Sequence, residues 1–407
     1  MGPLAGVKVL DLSRILAGPW ATQCLADFGA DVWKVEKPGA GDDTRQWGPP
    51  WLADAKGQDS TDSAYFLSAN RAKRSLAIDI ATMQGQELIR KLSLQADVLV
   101  ENFKVGGLAK YQLDWPSLQK INPALIYCSI SAFGQDGPDA AGAGYDAMIQ
   151  GRGGLMSLTG NPPDTPGGGP QKVGVAVADL MTGMYAVAAI TAALFERRGS
   201  GLGQHIDLSL LDTQVAMLAN QNLNYLMTGR VPQRLGTAHP NLVPYQAVPA
   251  RDGAFMLAIG NDRQFADFCR IAGRESTARD PRFASNAARV ANRVELIRNI
   301  ELWCRERTQS QWLESLTQNN VPCGPINDLA AVFNDPQVQH RRMRQDIPHA
   351  LGGSVTQVRN PILYSRTPLD YKTPPPMLGQ HTAEVLAKQA GITAEEFDAL
   401  RSRGIVA

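Results

Sequence analysis

The N-terminal stretch alternates between short apolar runs and a helical pattern, and this alternation restricts the fold more than any other feature. Val7–Leu10 is typical of a buried strand, Ala21–Phe28 has helical periodicity, and Asp31–Val35 is apolar again. Pro19 stands near the start of the helix, where a residue without an N–H is tolerated, and Gly29 follows its end. Strand, helix and strand so closely spaced predict a βαβ unit with parallel strands.

The same pattern recurs further along the chain. Ser75–Ile78, Val98–Val100 and Leu125–Ile130 are predicted strands, and Gln84–Leu94 is a predicted helix. Together they predict a doubly wound, Rossmann-like α/β domain. The turn that follows the first strand, at residues 11–19, lacks the GxGxxG pattern, and the chain contains no GxxxxGK[ST]. A dinucleotide site or a P-loop is therefore not indicated.

The character of the sequence changes after residue 200. Ser209–Thr228 is mostly apolar and predicts one long helix, so residues 201–230 are interpreted as a linker helix. A strand followed by several helical stretches predicts a smaller α+β domain at residues 231–325. Residues 326–345 have the character of a second linker, and residues 1–200 form the large domain.

Composition excludes several classes of protein. A net charge of +1 over 407 residues provides no field to attract nucleic acid or an anionic membrane. The five cysteines are odd in number and form no CxxC pair, which argues against a disulfide framework or a zinc site and for a reducing compartment. With no run of 18 apolar residues and no signal-peptide pattern, we expect a cytoplasmic protein without a transmembrane helix or a bound metal.

One carboxylate stands out in the middle of the chain. The apolar run Val173–Val177 is followed by Asp179 and at once by a helical pattern, which suggests a strand-to-helix junction. An acid at such a junction can cap the helix, or it can be an exposed nucleophile that forms covalent intermediates. The residues alone leave both roles open. The Gly- and Pro-rich stretch Gly160–Gly169 just upstream is predicted to be a loop.

A series of motifs runs in order through nearly the whole chain and resembles the class III CoA-transferases. The motifs are Gly6-Val-Lys-Val-Leu-Asp11-Leu12, Leu16-Ala-Gly-Pro19, Ala26-Asp-Phe-Gly-Ala-Asp31, Gly41-Asp-Asp-Thr-Arg45, Asn70-Arg-Ala-Lys-Arg-Ser75, Glu101-Asn-Phe103, Gly134-Gln-Asp-Gly-Pro138, Gly144-Tyr-Asp146, Asp179, Gly203-Gln-His-Ile-Asp207, Val321-Pro-Cys-Gly-Pro325 and Leu378-Gly-Gln-His381. Formyl-CoA transferase and carnitine CoA-transferase belong to this family, and the 2-methylacyl-CoA racemases share its fold.

The resemblance implies both an architecture and an activity. Residues 346–407 would return to the large domain, and the chain would form an open ring that interlocks with a second copy in a homodimer. The stretches at residues 39–50 and 236–246 are similar to the branch that moves CoA from succinyl-CoA to a dicarboxylic acid such as glutarate or itaconate. Coenzyme A would be a substrate, and no cofactor would be bound permanently.

The resemblance also implies site residues. Asp179 would attack the thioester and carry first an aspartyl–acyl anhydride and then an aspartyl-CoA thioester. The stretch Ile259–Asp262, where relatives have a glycine-rich covering loop, contains a single glycine. Arg45, Arg71 and His239 are alternatives for holding the distal carboxylate. The residues implied for CoA are Ile15, Lys37, Lys73, Arg74, Asn102, Lys110 and Tyr145, and those for the acyl group or acceptor are Leu16, Arg45, Trp47, Arg71, His239, Gly260 and Asn261.

Three other functions compete with this interpretation. A racemase needs an acid/base group on each face of the carbon, but Tyr145 stands where a histidine is expected before Asp146, and no Glu lies near Asn261. A hydrolase of the GxSxG type lacks its motif. A non-catalytic acyl-CoA-binding protein on the same fold would have no use for the carboxylate of Asp179.

Overall fold

The structure is a computed structural model that describes residues 2–351 and 353–407. The chain divides into two compact units. The first comprises Met1–Leu155, Val173–Leu226 and Gln337–Ala407, and the second comprises Met156–Lys172 and Met227–Pro336.

The strands in the described residues include those of a central sheet and of three smaller sheets. They are β1 (Lys8–Asp11), β2 (Asp31–Glu36), β3 (Trp51–Ala53), β4 (Asp59–Ser63), β5 (Lys73–Ala77), β6 (Val98–Glu101), β7 (Ile126–Ser131), β8 (His205–Ser209), β9 (Tyr245–Pro249), β10 (Ala254–Ala258), β11 (Cys323–Pro325), β12 (Arg344–Pro348) and β13 (Ser354–Val358).

The α-helices are numbered in the same way along the chain. They are α1 (Ala17–Asp27), α2 (Ala64–Ser68), α3 (Met83–Gln95), α4 (Trp115–Ile121), α5 (Asp146–Arg152), α6 (Leu155–Leu158), α7 (Val177–Ser200), α8 (Leu210–Met217), α9 (Asn220–Thr228), α10 (Asp262–Ile271), α11 (Glu275–Arg279), α12 (Asn286–Ala291), α13 (Arg293–Cys304), α14 (Gln309–Gln318), α15 (Leu329–Asn334), α16 (Pro336–His340), α17 (Thr382–Ala390) and α18 (Ala394–Ser402). Short 3₁₀ turns lie at Asp43–Gln46 and Ala109–Tyr111.

The first unit is built on a parallel sheet with the order β5-β2-β1-β6-β7-β8. The predicted parallel α/β sheet is therefore confirmed. Because the chain moves outward from β1 to β2 and then returns to place β6 on the other side of β1, the strand order reverses between β1 and β6. In doubly wound sheets ligands bind beyond the carboxyl ends of the strands at such a point.

Alternate residues of the central strands pack on opposite faces of the sheet. Val9 of β1 belongs to a core cluster that contains Leu25 of α1 and Ile190 of α7. The next residue, Leu10, belongs to a second cluster, which contains Leu88 of α3. Since the period of a strand is two, this alternation buries both faces of the sheet under helices.

The second unit has its own core around a small antiparallel sheet. Its strands have the order β11-β10-β9. Phe255 of β10, Phe268 of α10 and Trp312 of α14 are buried together, and the indole N–H of Trp312 donates to the carbonyl of Cys304. A separate core of this kind allows the unit to bury its own apolar surface.

Three sequence-based assignments need correction. The stretch Ser209–Thr228 is not one helix, because Ala219, with φ of 45°, separates α8 from α9. Residues 205–209 of the supposed linker form β8, the sixth strand of the main sheet. The run Val173–Val177 is not a strand, since the residues before Val177 are irregular and α7 begins there directly.

Helix α7 is long and apolar enough, by length and composition, to span a membrane. Core helices of soluble proteins pass the same test. In this chain Ala186, Val187 and Ile190 of α7 are buried in the main core cluster. Packing against the sheet and α1 thus explains why one face of α7 is apolar.

Candidate active site

A cavity of about 210 Å³ lies beyond the carboxyl ends of β1, β6 and β7, at the reversal of strand order. Three segments that follow these strands, together with the start of α7, form its wall. The lining residues are Arg14, Ile15, Leu16, Ala17, Asn102, Phe103, Lys104, Val105, Ile130, Ser131, Ala132, Ala140, Gly142, Ala143, Gly144, Tyr145, Asp179 and Leu210. The structure therefore brings Ile15, Leu16, Asn102, Tyr145 and Asp179 together, as the resemblance implied.

Asp179 lies in the first turn of α7 but does not cap it. The carboxylate of Asp146 accepts the backbone N–H of Ala178 at 2.8 Å and that of Asp179 at 3.4 Å. Asp146 is in turn held by the side-chain amide of Gln150 at 2.5 Å. The Asp179 carboxylate accepts no hydrogen bond from the residues that the structure describes. Of the two roles left open by the sequence, capping belongs to Asp146, and Asp179 remains available for chemistry.

The surroundings of Asp179 disfavour its charged form. Burial is the main cause and the negative charge of Asp146 is the second, and together they raise the pKa of Asp179 to about 7. A carboxylate that is desolvated, without hydrogen bonds and close to a like charge is a stronger base and nucleophile than one in water. Such a perturbed group in a cleft is characteristic of an active site.

Tyr65 also lies within electrostatic range of Asp179, although the sequence gave no reason to single it out. Burial and the negative charges of Asp179, Asp146 and Asp42 raise the pKa of Tyr65 to about 12. Its phenol group therefore stays protonated and able to donate. Trp47, predicted to lie near the acceptor acid, contacts Tyr65 edge-on with ring centroids 5.2 Å apart and is 42% exposed.

The predicted phosphate pair Lys73-Arg74 is not supported by the geometry. The two residues are neighbours on β5, so their side chains point to opposite faces of the sheet. The Lys73 ammonium is fully buried and donates to Asp11 at 3.1 Å and to the carbonyl of Pro19 at 2.9 Å. Burial lowers the pKa of Lys73 to about 8 despite the neighbouring Asp11. Arg74 pairs with Asp31 and Glu384.

Neither Arg45 nor Arg71 is free to hold a substrate carboxylate. Arg45 is buried and donates to Glu36 at 2.7 and 2.8 Å and to Asp62. Arg71 is buried and forms a bidentate ion pair with Asp27, with hydrogen bonds of 2.8 and 2.6 Å. A buried guanidinium group is stable only with partners of opposite charge. Because these carboxylates already accept its N–H groups, few donors remain for a substrate. Both predictions are corrected to structural roles.

The remaining predicted residues lie outside the cavity that contains Asp179. His239, Gly260 and Asn261 belong to the second unit. The His239 ring accepts the N–H groups of Asn241 and Leu242 at 3.0 and 3.1 Å, and Asn261 caps α10. Lys37 is exposed, and the exposed Lys110 lies over the ring of Tyr111 at 4.7 Å.

Sequence reasoning missed the cations that do line the cavity. Arg14 and Lys104 are exposed and border it together with Asp179. The guanidinium of Arg14 pairs with Asp43 at 3.1 Å and lies over the ring of Phe103 at 5.6 Å. The sequence did contain a signal for these two residues. Each follows a predicted strand, and ligands of doubly wound sheets bind beyond the carboxyl ends of the strands where the strand order reverses. No group of metal-binding side chains occurs in residues 2–351 and 353–407.

Comparisons with known proteins identify the family of this chain. A family model described as CoA-transferase family III matches residues 4–382, and the chain therefore belongs to this family and is a class III CoA-transferase. Succinate–glutarate CoA-transferase of Agrobacterium fabrum is 52% identical over 386 residues, which cover 95% of both chains. Succinyl-CoA:glutarate CoA-transferase of Homo sapiens is 41% identical over 404 residues, covering 99% of this chain and 90% of that protein.

A solved structure shares the architecture. The crystal structure of a CAIB/BAIF family protein from Brucella suis superimposes with a TM-score of 0.83 at 49% sequence identity. The match covers 95% of this chain and 99% of that chain.

Proposed function

We propose that this enzyme moves CoA from succinyl-CoA to a dicarboxylic acid such as glutarate or itaconate, with Asp179 as the covalent nucleophile. The observation that carries the proposal is the unpaired, half-buried carboxylate of Asp179 in the cavity at the switch point. The two relatives named for transfer between succinate and glutarate support the choice of acids. A racemase would need a second acid/base group on the opposite face, and the described cavity lining contains neither the histidine nor the glutamate expected of a racemase.

The chemistry follows from a carboxylate nucleophile. Asp179 attacks the thioester carbonyl, the carbon–sulfur bond breaks, and an aspartyl–succinyl anhydride and CoA thiolate result. The thiolate then attacks the aspartyl carbonyl, which releases succinate and leaves an aspartyl-CoA thioester. The acceptor carboxylate attacks that thioester, and the returning thiolate attacks the acceptor's carbonyl in the new anhydride. Each anhydride or thioester intermediate retains the free energy of the original thioester, provided that water is excluded from the site.

Each attack produces a tetrahedral oxyanion that needs donors at a fixed place. Leu16 and Ala17 lie at the start of α1 and line the cavity, and their backbone N–H groups make no hydrogen bond with other described residues. The N-terminus of a helix favours negative charge. We therefore assign these two N–H groups to the oxyanion.

Arg14 and Lys104 are proposed to meet the phosphates of CoA or the distal carboxylate of the acid. They are cations on the cavity wall with exposed side chains. The guanidinium fork of Arg14 suits a carboxylate, whereas the ammonium of Lys104 suits a phosphate as a point charge.

We also propose a cytoplasmic homodimer in which the two open-ring chains interlock. Large apolar side chains remain exposed on the first unit, including Phe195 at 77% and Leu226 at 73%. Such exposure is typical of a surface covered in an assembly. The five free thiols support a reducing compartment. Light scattering at micromolar concentration should give the mass of a dimer, and a monomer would contradict the assembly.

The activity is tested by mass spectrometry of the purified protein with succinyl-CoA and one free acid at a time. The acids are glutarate, itaconate, mesaconate, oxalate and carnitine, with a reaction that contains none. A new dicarboxylyl-CoA should form with glutarate or itaconate, and Asp179→Ala should reduce it by at least about a hundredfold. Free CoA without any new ester, in every reaction, would indicate hydrolysis and contradict the proposal.

Labelled acid tests the covalent route. If glutarate carries heavy oxygen in its carboxyl groups, a single turnover should leave one heavy oxygen in the peptide that contains Asp179. An unlabelled peptide after turnover would show that the acceptor attacks the thioester without the help of Asp179.

A further inference from the structure

Ile15 adopts a backbone conformation that its side chain disfavours. Its φ is 73°, in the left-handed region, where a β-branched residue is a true outlier. Ile15 lies directly before Leu16 and Ala17, which line the cavity with Asp179 and whose N–H groups make no hydrogen bond with other described residues. Strain of this kind persists only where the surroundings enforce it, and it occurs mainly at functional sites.

Side chains fix the backbone on both sides of Ile15. Asn102 accepts the N–H of Arg14 at 2.8 Å and donates to its carbonyl at 2.7 Å. The carbonyl of Ser13 accepts from the ammonium of Lys34 at 3.0 Å. The N–H of Ile15 itself donates to both carboxylate oxygens of Asp42, at 3.3 and 3.2 Å. Asp42 is thus the group that holds the strained residue directly.

Asp42 is itself fixed in a buried network of charges. It is 1% exposed, and it accepts from the fully buried ammonium of Lys34 at 2.8 Å and from the N–H and hydroxyl of Thr44 at 3.0 and 2.8 Å. Burial opposes its charge, but Lys34 and the bonds from Thr44 outweigh burial and lower the pKa of Asp42 to about 2. The carboxylate is therefore charged at any working pH.

The residue before Asp42 is adapted to this arrangement. Gly41 has φ of 73°, and a Cβ at this position would lie 2.6 Å from Cδ of Arg45 and 3.1 Å from a carboxylate oxygen of Glu36. The N–H of Asp42 donates to the same Glu36 oxygen at 3.0 Å. The segment can thus approach the network closely and aim the Asp42 carboxylate at Ile15.

We propose that Asp42 is a positioning residue for the transfer reaction: it holds Ile15 in the left-handed conformation and thereby aims the N–H groups of Leu16 and Ala17 at the reacting carbonyl. This inference rests on the proposed function of the cavity. Asp42 touches no substrate, because its carboxylate is buried beneath the loop. Its effect passes through the backbone of residues 13–17.

The test compares Asp42→Asn with Asp62→Asn. An amide at position 42 presents a single acceptor oxygen, so it cannot serve Ile15, Thr44 and Lys34 together. Asp62 is the matched control: it is similarly buried and pairs with Arg45 in the same network, but among the described residues it forms no hydrogen bond or ion pair with residues 13–16. We expect Asp42→Asn to lower kcat by up to about a hundredfold, the cost of misplaced donors, with KM for the acyl-CoA little changed. Asp62→Asn should leave kcat within a few-fold of that of the wild type.

Glycine at position 15 gives a second test, because glycine adopts a positive φ without strain. If Asp42 acts by enforcing that conformation, Asp42→Asn should cost much less kcat in the Ile15→Gly background than in the wild type. Equal losses in the two backgrounds would show that Asp42 does not work through Ile15.

Amide hydrogen exchange separates this inference from the proposed activity. The peptide that covers residues 13–17 should exchange faster in Asp42→Asn than in the wild type or Asp62→Asn, whether or not the panel of acids contains the true acceptor. Unchanged exchange, or equal loss of kcat in both single variants, would overturn the positioning role while leaving Asp179 as nucleophile. Faster exchange of residues 13–17 in Asp42→Asn, together with no CoA transfer by the wild type, would overturn the proposed function. It would leave the structural effect of Asp42 on Ile15 in place.

Discussion

The carboxylate of Asp146 accepts the backbone N–H of Asp179, at 3.4 Å, and so caps the helix that carries this proposed nucleophile. One acid therefore takes the capping role, and the other is left without a hydrogen-bonding partner among the described residues. The same proximity places a like charge beside Asp179. This pair of carboxylates links the local structure of α7 to the proton affinity of the reacting group.

The first prediction concerns the dependence of activity on pH. Because only the deprotonated Asp179 can attack, kcat/KM should fall as pH is lowered through about 7, the pKa of this group. Asp146→Asn removes the neighbouring charge but retains an oxygen that can accept the N–H of Ala178. The acid limb of the profile should therefore move to lower pH, and the variant should gain most relative to the wild type at pH below 7.

A control separates this local charge from a general effect. Asp136→Asn removes a carboxylate that is exposed to solvent, and its profile should match that of the wild type. An acid limb that stays in place in Asp146→Asn would mean that burial alone sets the pKa of Asp179.

The second prediction concerns stability. The folded pKa of Asp179, about 7, exceeds its ordinary value of 3.8, so the folded state binds the proton more tightly than the unfolded state. Its contribution to the free energy of unfolding is therefore lost as pH rises from about 4 to 7, by on the order of 4 kcal/mol at 1.4 kcal/mol per pKa unit. Asp179→Asn should be more stable than the wild type at pH 8 and similar to it near pH 4.

Urea unfolding at fixed protein concentration, at both pH values, measures this difference. Asp207→Asn is a suitable comparison, since this carboxylate accepts the N–H of Gln135 at 3.0 Å and is not left without a partner. Equal stability of Asp179→Asn and the wild type at pH 8 would show that the Asp179 carboxylate is hydrated in solution.

The third prediction concerns Arg45, which the sequence offered as a reader of the acceptor acid. Its guanidinium is held by Glu36 and Asp62 in the buried network. Removing one partner of a buried ion pair costs about 3 to 5 kcal/mol. We expect Arg45→Met to lower the free energy of unfolding by that amount and to reduce activity with all acids alike.

Relative rates with glutarate, itaconate and a monocarboxylic acid give the readout. A selective loss of dicarboxylic acids, with stability retained, would restore Arg45 as the residue that binds the distal carboxylate.

The sequence predicted the strands of the main sheet to within a residue or two, and the physical reason is visible in β1 and β2. Each contains consecutive apolar residues that pack on opposite faces of the sheet, Val9 and Leu10 in β1 and Val32 and Trp33 in β2. β8 was also indicated, because His205–Leu208 alternates like a strand, but residues 201–230 as a whole were interpreted as a linker helix. As the last strand in the order of the sheet, it need not be apolar on both faces.

The site was predictable as far as local pattern reaches. Asp179, Asn102 and Leu16 were singled out because the family motifs contain them, and Ile15 because its position matches that of a family residue that contacts CoA. Lys73 and Arg45 were misassigned because burial of a charge depends on partners far away in the chain, such as Asp11 for Lys73 and the carbonyl of Pro376 for Arg45. The alternation of side chains along a strand could have shown that Lys73 and Arg74 do not face one phosphate.

The last prediction concerns the cations on the cavity wall. If Lys104 contacts a phosphate of CoA, Lys104→Met should raise KM for succinyl-CoA by roughly tenfold, the effect of losing a charge-assisted hydrogen bond, with kcat little changed. The wild-type KM should rise with ionic strength, and this salt dependence should weaken in the variant, because screening acts on the same charge. Lys120→Met, which changes an exposed lysine of α4 outside the cavity lining, is the matched control and should leave both quantities unchanged.

Arg14→Met should instead change the relative KM values of the acceptor acids if its guanidinium binds their distal carboxylate. A rise in KM for succinyl-CoA with Arg14→Met alone would exchange the roles of the two cations.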